Sequence, residues 1–322
     1  MEKKYTNKYL IETGIGLQDV DGLKNSKYFI EQANKYVKGE ITLEQLDKLI
    51  NRYYEEKPNE DERTEEADIV SNRIAQIISE DTFVLTVGQF VSIHERLFKG
   101  VFPHAGKLRD YNFIKKEWVL DGRSVIYGDY RELKTMLDYD FESERSFKYA
   151  GLSMDEVIDH LAAFVSDLWQ IHAFKEGNTR TTAVFFIKYL RSLGFDVTND
   201  VFAKNAWYFR NALVRANFRY IQKGIYDDKS YIIKFLRNLL LGEHNELKNR
   251  YLRVNVDKNI NIETKETRIL NLIKEYPKMK TDEIAVKIGI SQRTVKSIMS
   301  ALVEQNKIKR ITGKRFGYWE VK

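Results

Sequence analysis

The most informative absences in this chain of 322 residues are those of cysteine, of all but three prolines, and of any long apolar run. Without cysteine, the chain cannot form a disulfide framework or a zinc site made of thiolates. No apolar run approaches the roughly 20 residues that span a membrane. No apolar segment follows the charged start, Met1 to Lys8, as it would in a signal peptide. We therefore expect a soluble, cytoplasmic protein without membrane association.

Size and charge give the first positive indications. With 43% hydrophobic and 13% aromatic residues, the chain is long enough for two or three domains with sizeable cores. Residues 261–322 hold fourteen Lys and Arg against seven Asp and Glu, whereas the first 260 hold thirty-nine against forty. The positive excess therefore lies in the last fifth of the chain, which favours a polyanionic partner for that segment.

Helical spacing of apolar residues dominates the sequence, which predicts a mostly α protein. Residues 25–54 are typical of two short amphipathic helices, the second capped by Thr42. The charged segment 55–66, which contains Pro58, and the polar segment 242–261 are predicted linkers. The remaining predicted helices cover 67–78, 91–98, 154–171, a segment that starts near 179, 205–218 and 231–241.

The segment His172–Arg180 combines a potential general base, a carboxylate, a turn and a fixed cation between two predicted helices. Gly177 and Asn178 tolerate backbone conformations that are closed to most residues. The unpaired N–H groups at the start of the next helix suit a phosphate. We interpret the segment as a phosphate cradle with a catalytic histidine at its edge; the alternative is an ordinary polar loop. The helix after it shows one apolar face, formed by Ala183, Phe186, Ile187 and Leu190.

One segment, Arg109–Tyr127, is predicted to be β structure. Residues 112–114 and 118–120 are rich in strand-forming types and flank charged residues, and Asp121-Gly122 is a turn dipeptide. The pattern predicts a hairpin.

The basic C-terminal segment, 264–321, has a pattern of its own. Its first helix ends before Pro277, its second begins with Thr281 as cap, and Ser291 caps a third over 292–305. Two short apolar stretches around a Gly313 turn predict a two-stranded wing.

This segment resembles a winged helix-turn-helix. The resemblance implies that the third helix enters a DNA major groove, where Gln292 and Arg293 could read base edges. Lys296, Lys314 and Arg315 would contact phosphates. The alternative is a protein–protein module, and the concentrated positive charge favours nucleic acid.

The segment from His172 resembles the core motif of the Fic family, His-x-Phe-x-Asp/Glu-Gly-Asn-Gly-Arg-x-x-Arg. A second stretch agrees upstream, because residues 92–98 and 104–109 are similar to the family's segment that leads into a β-hairpin flap. The resemblance covers roughly residues 65–240. The departures are Ala173 at the common Pro, Thr179 at the second Gly and Ala183 at the last Arg.

The resemblance implies transfer of AMP from Mg·ATP to a protein hydroxyl. His172 would act as the general base in its neutral form, and Glu176 would hold Mg²⁺. Asn178 and nearby backbone N–H groups would stabilise charge on the phosphate oxygens, and Arg180 would neutralise the terminal phosphates. The other predicted nucleotide-binding residues are Lys175, Gly177, Thr179, Tyr208 and Asn211.

Several of these residues also have ordinary structural explanations. Glu176 near a helix N-terminus would stabilise the helix dipole, Lys175 and Arg180 would be solvated, and the stripe with Tyr208 would be core. The hairpin would either hold a target segment as an added strand or be purely structural.

Many Fic proteins carry a helix with Ser/Thr-x-x-x-Glu-Gly/Asn, whose Glu blocks the γ-phosphate site and pairs with the last motif Arg. No such spacing occurs in the first ninety residues, and Ala183 removes the partner Arg. We therefore predict no lock of the usual kind; regulation is either absent or uses a different contact.

Together these patterns predict a mainly α protein with four parts. They are an N-terminal helical segment (1–64), a Fic-type helical bundle with a β-hairpin flap (65–242), a linker (243–262) and a winged helix-turn-helix domain (263–322). The leading hypothesis is a protein adenylyltransferase that uses ATP and Mg²⁺, modifies a Ser, Thr or Tyr hydroxyl of a protein target, binds DNA, and is a monomer or a homodimer. The alternative is a DNA-binding transcriptional regulator whose Fic core binds nucleotide without turnover.

Overall fold

The computed structural model describes residues 5–57, 62–254, 265–288, 290–311 and 317–322. The chain divides into two compact units, residues 1–255 and 256–322. No helix in the described ranges is long and apolar enough to cross a membrane. The helices of the first unit are α1 (Asn7–Gly16), α2 (Lys27–Val37), α3 (Leu43–Glu56), α4 (Glu62–Ser79), α5 (Val87–Phe98), α6 (Leu133–Ser146), α7 (Met154–Ile171), α8 (Asn178–Ser192), α9 (Val201–Ala216) and α10 (Ser230–Leu241).

Helix α7 carries the motif histidine at its C-terminal end, and its sequence explains both of its limits. The Ser153 hydroxyl accepts from the Glu156 N–H (3.3 Å), and the Glu156 carboxylate accepts from the Ser153 N–H (2.8 Å). At the other end, His172 takes a left-handed conformation with φ 51°, which stops the helix. The residues predicted to face the core are all buried: Val157, Leu161, Phe164, Val165 and Leu168.

Helix α8 is buried on all sides from Asn178 to Leu190, not only on the one face that its apolar residues predict. The reason is its central place: α4, α5, α7 and the 3₁₀ helix Leu17–Asp21 all pack against it. Several of its polar residues are therefore buried with partners. Lys188, for example, donates from Nζ to the carbonyl oxygens of Ile77 (2.9 Å) and Glu80 (2.7 Å) at the end of α4.

The N-terminal helices belong to the same compact unit as the motif loop. Helix α1 packs on α4 and α9. The α9 contact requires glycine, because a Cβ on Gly16 would lie 2.1 Å from the carbonyl oxygen of Ala203. Thr42 caps α3 as predicted, in a reciprocal pair of hydrogen bonds with Gln45. The division of this unit into residues 1–64, 65–242 and a linker stays a prediction.

The hairpin predicted over 109–127, which we call the flap, is confirmed at its turn and wrong in its strands. Asp121 and Gly122 both take positive φ values, 55° and 82°, as a tight reversal requires. The structure describes the whole flap and contains no β-strand there; residues Trp118–Leu120 form a 3₁₀ helix. Val119 and Leu120 are both fully buried, whereas a strand would send neighbouring side chains to opposite faces.

The second unit contains α11 (Lys265–Glu275), α12 (Thr281–Ile288), α13 (Gln292–Glu304), β1 (Ile308–Ile311) and β2 (Tyr318–Val321). The two strands pair antiparallel and form the predicted wing. Ser291 caps α13, since its hydroxyl accepts from the Thr294 N–H at 3.2 Å. Thr281 is the first residue of α12, not its cap as predicted, because the Glu283 carboxylate satisfies the Lys280 N–H at 2.9 Å. The core is formed by Ile269, Ile273, Ile284, Ala285, Val295, Met299, Leu302 and Ile308.

Candidate active site

The imidazole of His172 lies where α7 ends and the motif loop begins. Its ring stacks on Tyr127 (centroids 4.1 Å apart, 30°) and meets Trp169 edge-on at 5.2 Å. Phe113 of the flap lies 5.5 Å away on another side. The ring is buried, and within the described ranges its Nδ1 has no hydrogen-bond partner. Aromatic packing therefore fixes the ring while one nitrogen stays free.

The surroundings of His172 favour the neutral imidazole. Burial lowers its pKa well below the ordinary value, and the positive charge of Lys115, followed by those of Arg210 and Arg109, lowers the pKa further. The backbone carbonyl of Trp169 acts in the opposite sense, raising the pKa of the ring, and is outweighed. At neutral pH the ring is unprotonated, which is the state a general base needs.

Arg109 fixes the backbone at the site without reaching the motif side chains. Its guanidinium donates to the carbonyl oxygens of His172 (2.7 Å), Tyr111 (2.8 Å) and Gly128. Its N–H donates to the Ala173 carbonyl at 2.9 Å. Because Arg109 is almost fully buried, these charge-assisted bonds tie the loop to both ends of the flap. The upstream sequence motif includes Arg109, but this positioning role is visible only in the structure.

Two further side chains hold the loop closed. Asn178 donates from Nδ2 to the Phe174 carbonyl (2.8 Å) and accepts at Oδ1 from the Phe174 N–H (2.9 Å). Phe174 is fully buried, as predicted for a core anchor, and stacks on His94 at 3.8 Å. His94 Nδ1 accepts from the Gly106 N–H, so its Nε2–H donates to the Glu176 carbonyl at 3.1 Å. His94 thus positions the backbone of Glu176.

Gly177 is the N-cap of α8, and its position favours glycine. Its φ is 73°, and a Cβ would lie 2.4 Å from both Cε2 and Cζ of Phe98. No side chain in the described ranges caps the N-terminus of α8 at this residue, so the first backbone N–H groups are available to an anion. The side chain of Thr179, two residues later, is fixed by a hydrogen bond, since its hydroxyl accepts from Trp169 Nε1 at 2.9 Å.

Arg180 is buried and contacts three acceptor side chains of the chain itself. It donates to the carboxylate of Glu66 (2.6 Å) and to Gln18 Oε1 (3.0 Å), and its Nε lies 3.0 Å from a carboxylate oxygen of Asp21. Its side chain is 1% exposed. Three acceptors from the chain itself therefore surround the cation that the sequence assigns to ATP phosphates. No local sequence pattern indicates these partners, because they lie more than 110 residues away in sequence.

A cavity of about 520 Å³ opens beside the start of α8. Glu176 and Arg180 of the motif loop reach it, so the loop forms one wall. No cluster of three or more His, Asp or Glu in the described ranges is arranged to hold a metal. The cavity is lined by Asp19, Val20, Asp21, Gly22, Arg63, Glu66, Phe102, Lys115, Glu176, Arg180, Trp207 and Arg210.

Comparison with known proteins agrees with this geometry. Residues 84–190 match the model of the Fic/DOC family, and residues 262–309 match that of the winged helix-turn-helix DNA-binding family. The chain contains a Fic domain. No curated protein matches it.

Solved structures that are similar to the chain include the following three. One is the N-terminal Fic domain of Bep8, a VirB-translocated effector from Bartonella sp. 1-1C (20% identity, 57% of this chain and 88% of that chain covered, TM-score 0.44). Another is the N-terminal Fic domain of a Bartonella sp. AR 15-3 effector (18% identity, 55% of this chain and 82% of that chain covered, TM-score 0.42). The third is a Fic family protein from Desulfovibrio desulfuricans G20 (12% identity, 98% of this chain and 87% of that chain covered, TM-score 0.45).

Of the seven residues predicted to bind nucleotide, Arg180 alone lines the cavity; Gly177, Asn178 and Thr179 precede it in the motif segment, and the other three have partners elsewhere. Lys175 pairs with the Asp110 carboxylate at 2.9 Å. The Tyr208 hydroxyl donates to the Tyr231 carbonyl (3.3 Å), and Asn211 is buried and bonded to Asn249. For Tyr208 and Asn211 helix geometry is the cause, because on α9 the cavity-facing stripe is Trp207 and Arg210, three residues apart.

Arg210 also ties α9 to the flap. It lies 2.7 Å from one carboxylate oxygen of Glu117 and donates to the other at 3.0 Å. Both side chains are buried, and the Tyr127 hydroxyl adds a third contact to Glu117 at 3.1 Å. A buried bidentate pair of this kind sets the position of the flap over the Fic motif. Neither partner was predicted as a site residue.

In the second unit, the predicted DNA-contacting residues of α13 share one exposed face. Gln292, Arg293 and Lys296 are exposed in the N-terminal half of the helix, while Val295 and Met299 are buried against the core. Their arrangement suits a helix laid into a major groove. Lys314 and Arg315, predicted to contact phosphates, lie outside the described residues.

Proposed function

We propose that this chain is a protein adenylyltransferase that transfers AMP from Mg·ATP to a Ser, Thr or Tyr hydroxyl of a protein target. The observation that carries the proposal is the neutral, clamped imidazole of His172, one loop away from a cavity that Glu176 and Arg180 line. A base, a carboxylate and an unpaired helix N-terminus adjoin one another in the motif loop, as nucleotidyl transfer requires.

In the proposed reaction the target hydroxyl oxygen forms a bond to the α-phosphorus of ATP. The bond between the α-phosphorus and the oxygen bridging to the β-phosphorus breaks, and pyrophosphate leaves. The hydroxyl proton passes to the neutral imidazole of His172. The backbone N–H groups at the start of α8 stabilise charge on the phosphate oxygens, and Arg109 keeps the His172 backbone fixed throughout.

Magnesium fits the residues present. The Glu176 carboxylate lines the cavity, and within the described ranges it has no hydrogen bond or ion pair. One carboxylate suffices for Mg²⁺, which completes its coordination with water and substrate phosphates. When bound, the ion adds positive charge beside the phosphates, and His94 keeps Glu176 in place through its backbone carbonyl.

The experiment is incubation of the purified chain with Mg²⁺ and α-labelled ATP, alone and with a cell extract, followed by intact mass and detection of labelled protein. We expect covalent label that disappears in His172→Ala while the variant still unfolds cooperatively. His244→Ala, an exposed histidine outside the site, is the matched control. Equal labelling by His172→Ala and the unaltered chain would refute the proposed base.

We propose in addition that the second unit binds DNA, with Gln292, Arg293 and Lys296 in the major groove. The exposed basic face of α13 and the match to a DNA-binding family support this. Lys296→Ala should weaken binding and reduce the dependence of log affinity on log salt by about one counterion. Lys274→Ala on α11, also exposed, serves as the charge-matched control; an equal effect of both would argue against a groove-specific role.

The alternative function, a DNA-binding regulator whose Fic core binds nucleotide without turnover, has one specific observation in its favour. Arg180 is already held by Glu66, Asp21 and Gln18, so phosphates must displace acceptors of the chain itself. Calorimetric binding of ATP without covalent label, together with an ATP-dependent change in DNA affinity, would favour this function over the transferase.

A further inference from the structure

The cavity beside the motif loop is lined by four cations, and three of them are already paired. Arg180 contacts Glu66 and Asp21, and Arg210 contacts both carboxylate oxygens of Glu117. Arg63 donates to the Asp21 carbonyl at 3.2 Å. The fourth, Lys115, has no hydrogen bond or ion pair through its ammonium group within the described ranges.

The course of the flap explains why Lys115 reaches the cavity. From Asn112 to Glu117 the side chains alternate between exposed and covered, as in any extended chain. The inner side consists of Phe113 against the His172 ring, Lys115, and Glu117 against Arg210. Lys115 therefore projects between the base and the buried ion pair. Its backbone is fixed by an N–H bond to the Ser124 hydroxyl at 3.2 Å.

Electrostatics agree with this placement. Burial by itself would raise the pKa of Asp21, but the charges of Arg180 and then of Lys115 hold it below its ordinary value. The same ammonium is the nearby charge that most lowers the pKa of His172, after burial. One side chain thus acts on both the proposed base and the acidic partner of Arg180.

We infer that Lys115 is a phosphate-binding residue of this site, which contacts the polyphosphate chain of the nucleotide from the flap side, opposite Arg180. This inference rests on the proposed function, because it takes the cavity to be the nucleotide site. An unpaired ammonium facing a phosphate site gains charge-assisted hydrogen bonds without breaking an existing ion pair, unlike Arg180 and Arg210. The same flap carries the Glu117 contact to α9. A phosphate contact by Lys115 therefore couples nucleotide binding to the position of the flap.

The test is isothermal titration of the full chain with ATP in the presence of Mg²⁺, and with adenosine. The variants are Lys115→Gln, Lys115→Arg and Lys116→Gln. Lys116 has the same charge on the adjacent, exposed side of the flap and does not line the cavity, so it is the matched control. Lys115→Gln should weaken ATP binding by about 10- to 100-fold, the loss of one or two charge-assisted hydrogen bonds. Adenosine affinity should stay the same, and Lys115→Arg should retain most of the ATP affinity.

The outcomes separate this inference from the proposed function. If the unaltered chain binds ATP and the two Gln variants bind it equally well, Lys115 is not a phosphate ligand while the nucleotide site stands. If Lys115→Gln weakens ATP and adenosine alike, the residue supports the cavity and does not read phosphate, which also overturns the inference. If the unaltered chain binds neither ligand, both the inference and the proposed function fail. Thermal melting of each variant confirms that all of them fold.

Discussion

Replacing Gly177 by alanine should destabilise the fold for two reasons, the left-handed backbone conformation and the close contact with Phe98. The residue has φ 73°, a conformation that costs an L-amino acid roughly 1–2 kcal/mol. In addition, an alanine Cβ would lie 2.4 Å from two ring atoms of Phe98, and overpacking of a buried site costs about 1–3 kcal/mol. The two effects act together, so we expect Gly177→Ala to lower the free energy of unfolding by about 2–5 kcal/mol.

Gly151 provides the matched control. Its φ is 87°, but a Cβ there would have no atom within 4 Å, so Gly151→Ala measures backbone strain alone. The assay is denaturant unfolding followed by tryptophan fluorescence, to which the buried Trp169 next to the motif loop contributes. A second arm places Gly177→Ala in a Phe98→Leu background, where the smaller side chain should recover part of the loss. If Gly177→Ala costs no more than Gly151→Ala in either background, the argument from the Phe98 contact is refuted.

Two further predictions follow from buried charge. Burial lowers the pKa of His94 to about 4, below the unfolded value of 6.5. Between these two pH values the unfolded chain therefore binds more protons than the folded chain. The free energy of unfolding should rise with pH over that window, by up to roughly 3 kcal/mol. His94→Gln should flatten this rise between pH 4 and pH 6.5 in unfolding experiments; an unchanged slope would show that other groups cause it. Glu66→Gln removes one of the two carboxylates on Arg180, so ATP affinity by calorimetry should rise while the free energy of unfolding falls by about 1–3 kcal/mol. ATP affinity that is equal in both proteins would mean that Arg180 does not contact phosphates.

The sequence predicts the helices and the motif loop well because both depend on local patterns. The limits of α7 follow from Ser153 and His172, and the winged-helix pattern follows from the Ser291 cap and the spacing of apolar residues. The Fic motif likewise places His172, Glu176 and Arg180 in one loop, because they are close in sequence.

The sequence does not predict contacts between distant segments. Nothing local indicates that Gln18 and Glu66 meet Arg180, or that Glu117 meets Arg210. The flap strands were wrong for a related reason: Trp118 and Val119 have high strand propensity, but burial of both Val119 and Leu120 in the core overrides it. For α8, apolar spacing identified one buried face, while burial of the polar faces depends on the helices around it.

The packing of α1 bears on how the Fic domain can be studied in isolation. A fragment that starts at residue 65 keeps every residue of the motif, and sequence comparison would accept it as the whole catalytic domain. That fragment loses Gln18 and Asp21, so Arg180 keeps a single acidic partner, and it uncovers the surfaces of α4 and α9 on which α1 packs. Residues 19–22, which follow α1, also line the cavity, so the N-terminal segment is part of the wall of the site. Measurements on such a fragment would therefore describe a different cavity from that of the full chain, with fewer acceptors around Arg180.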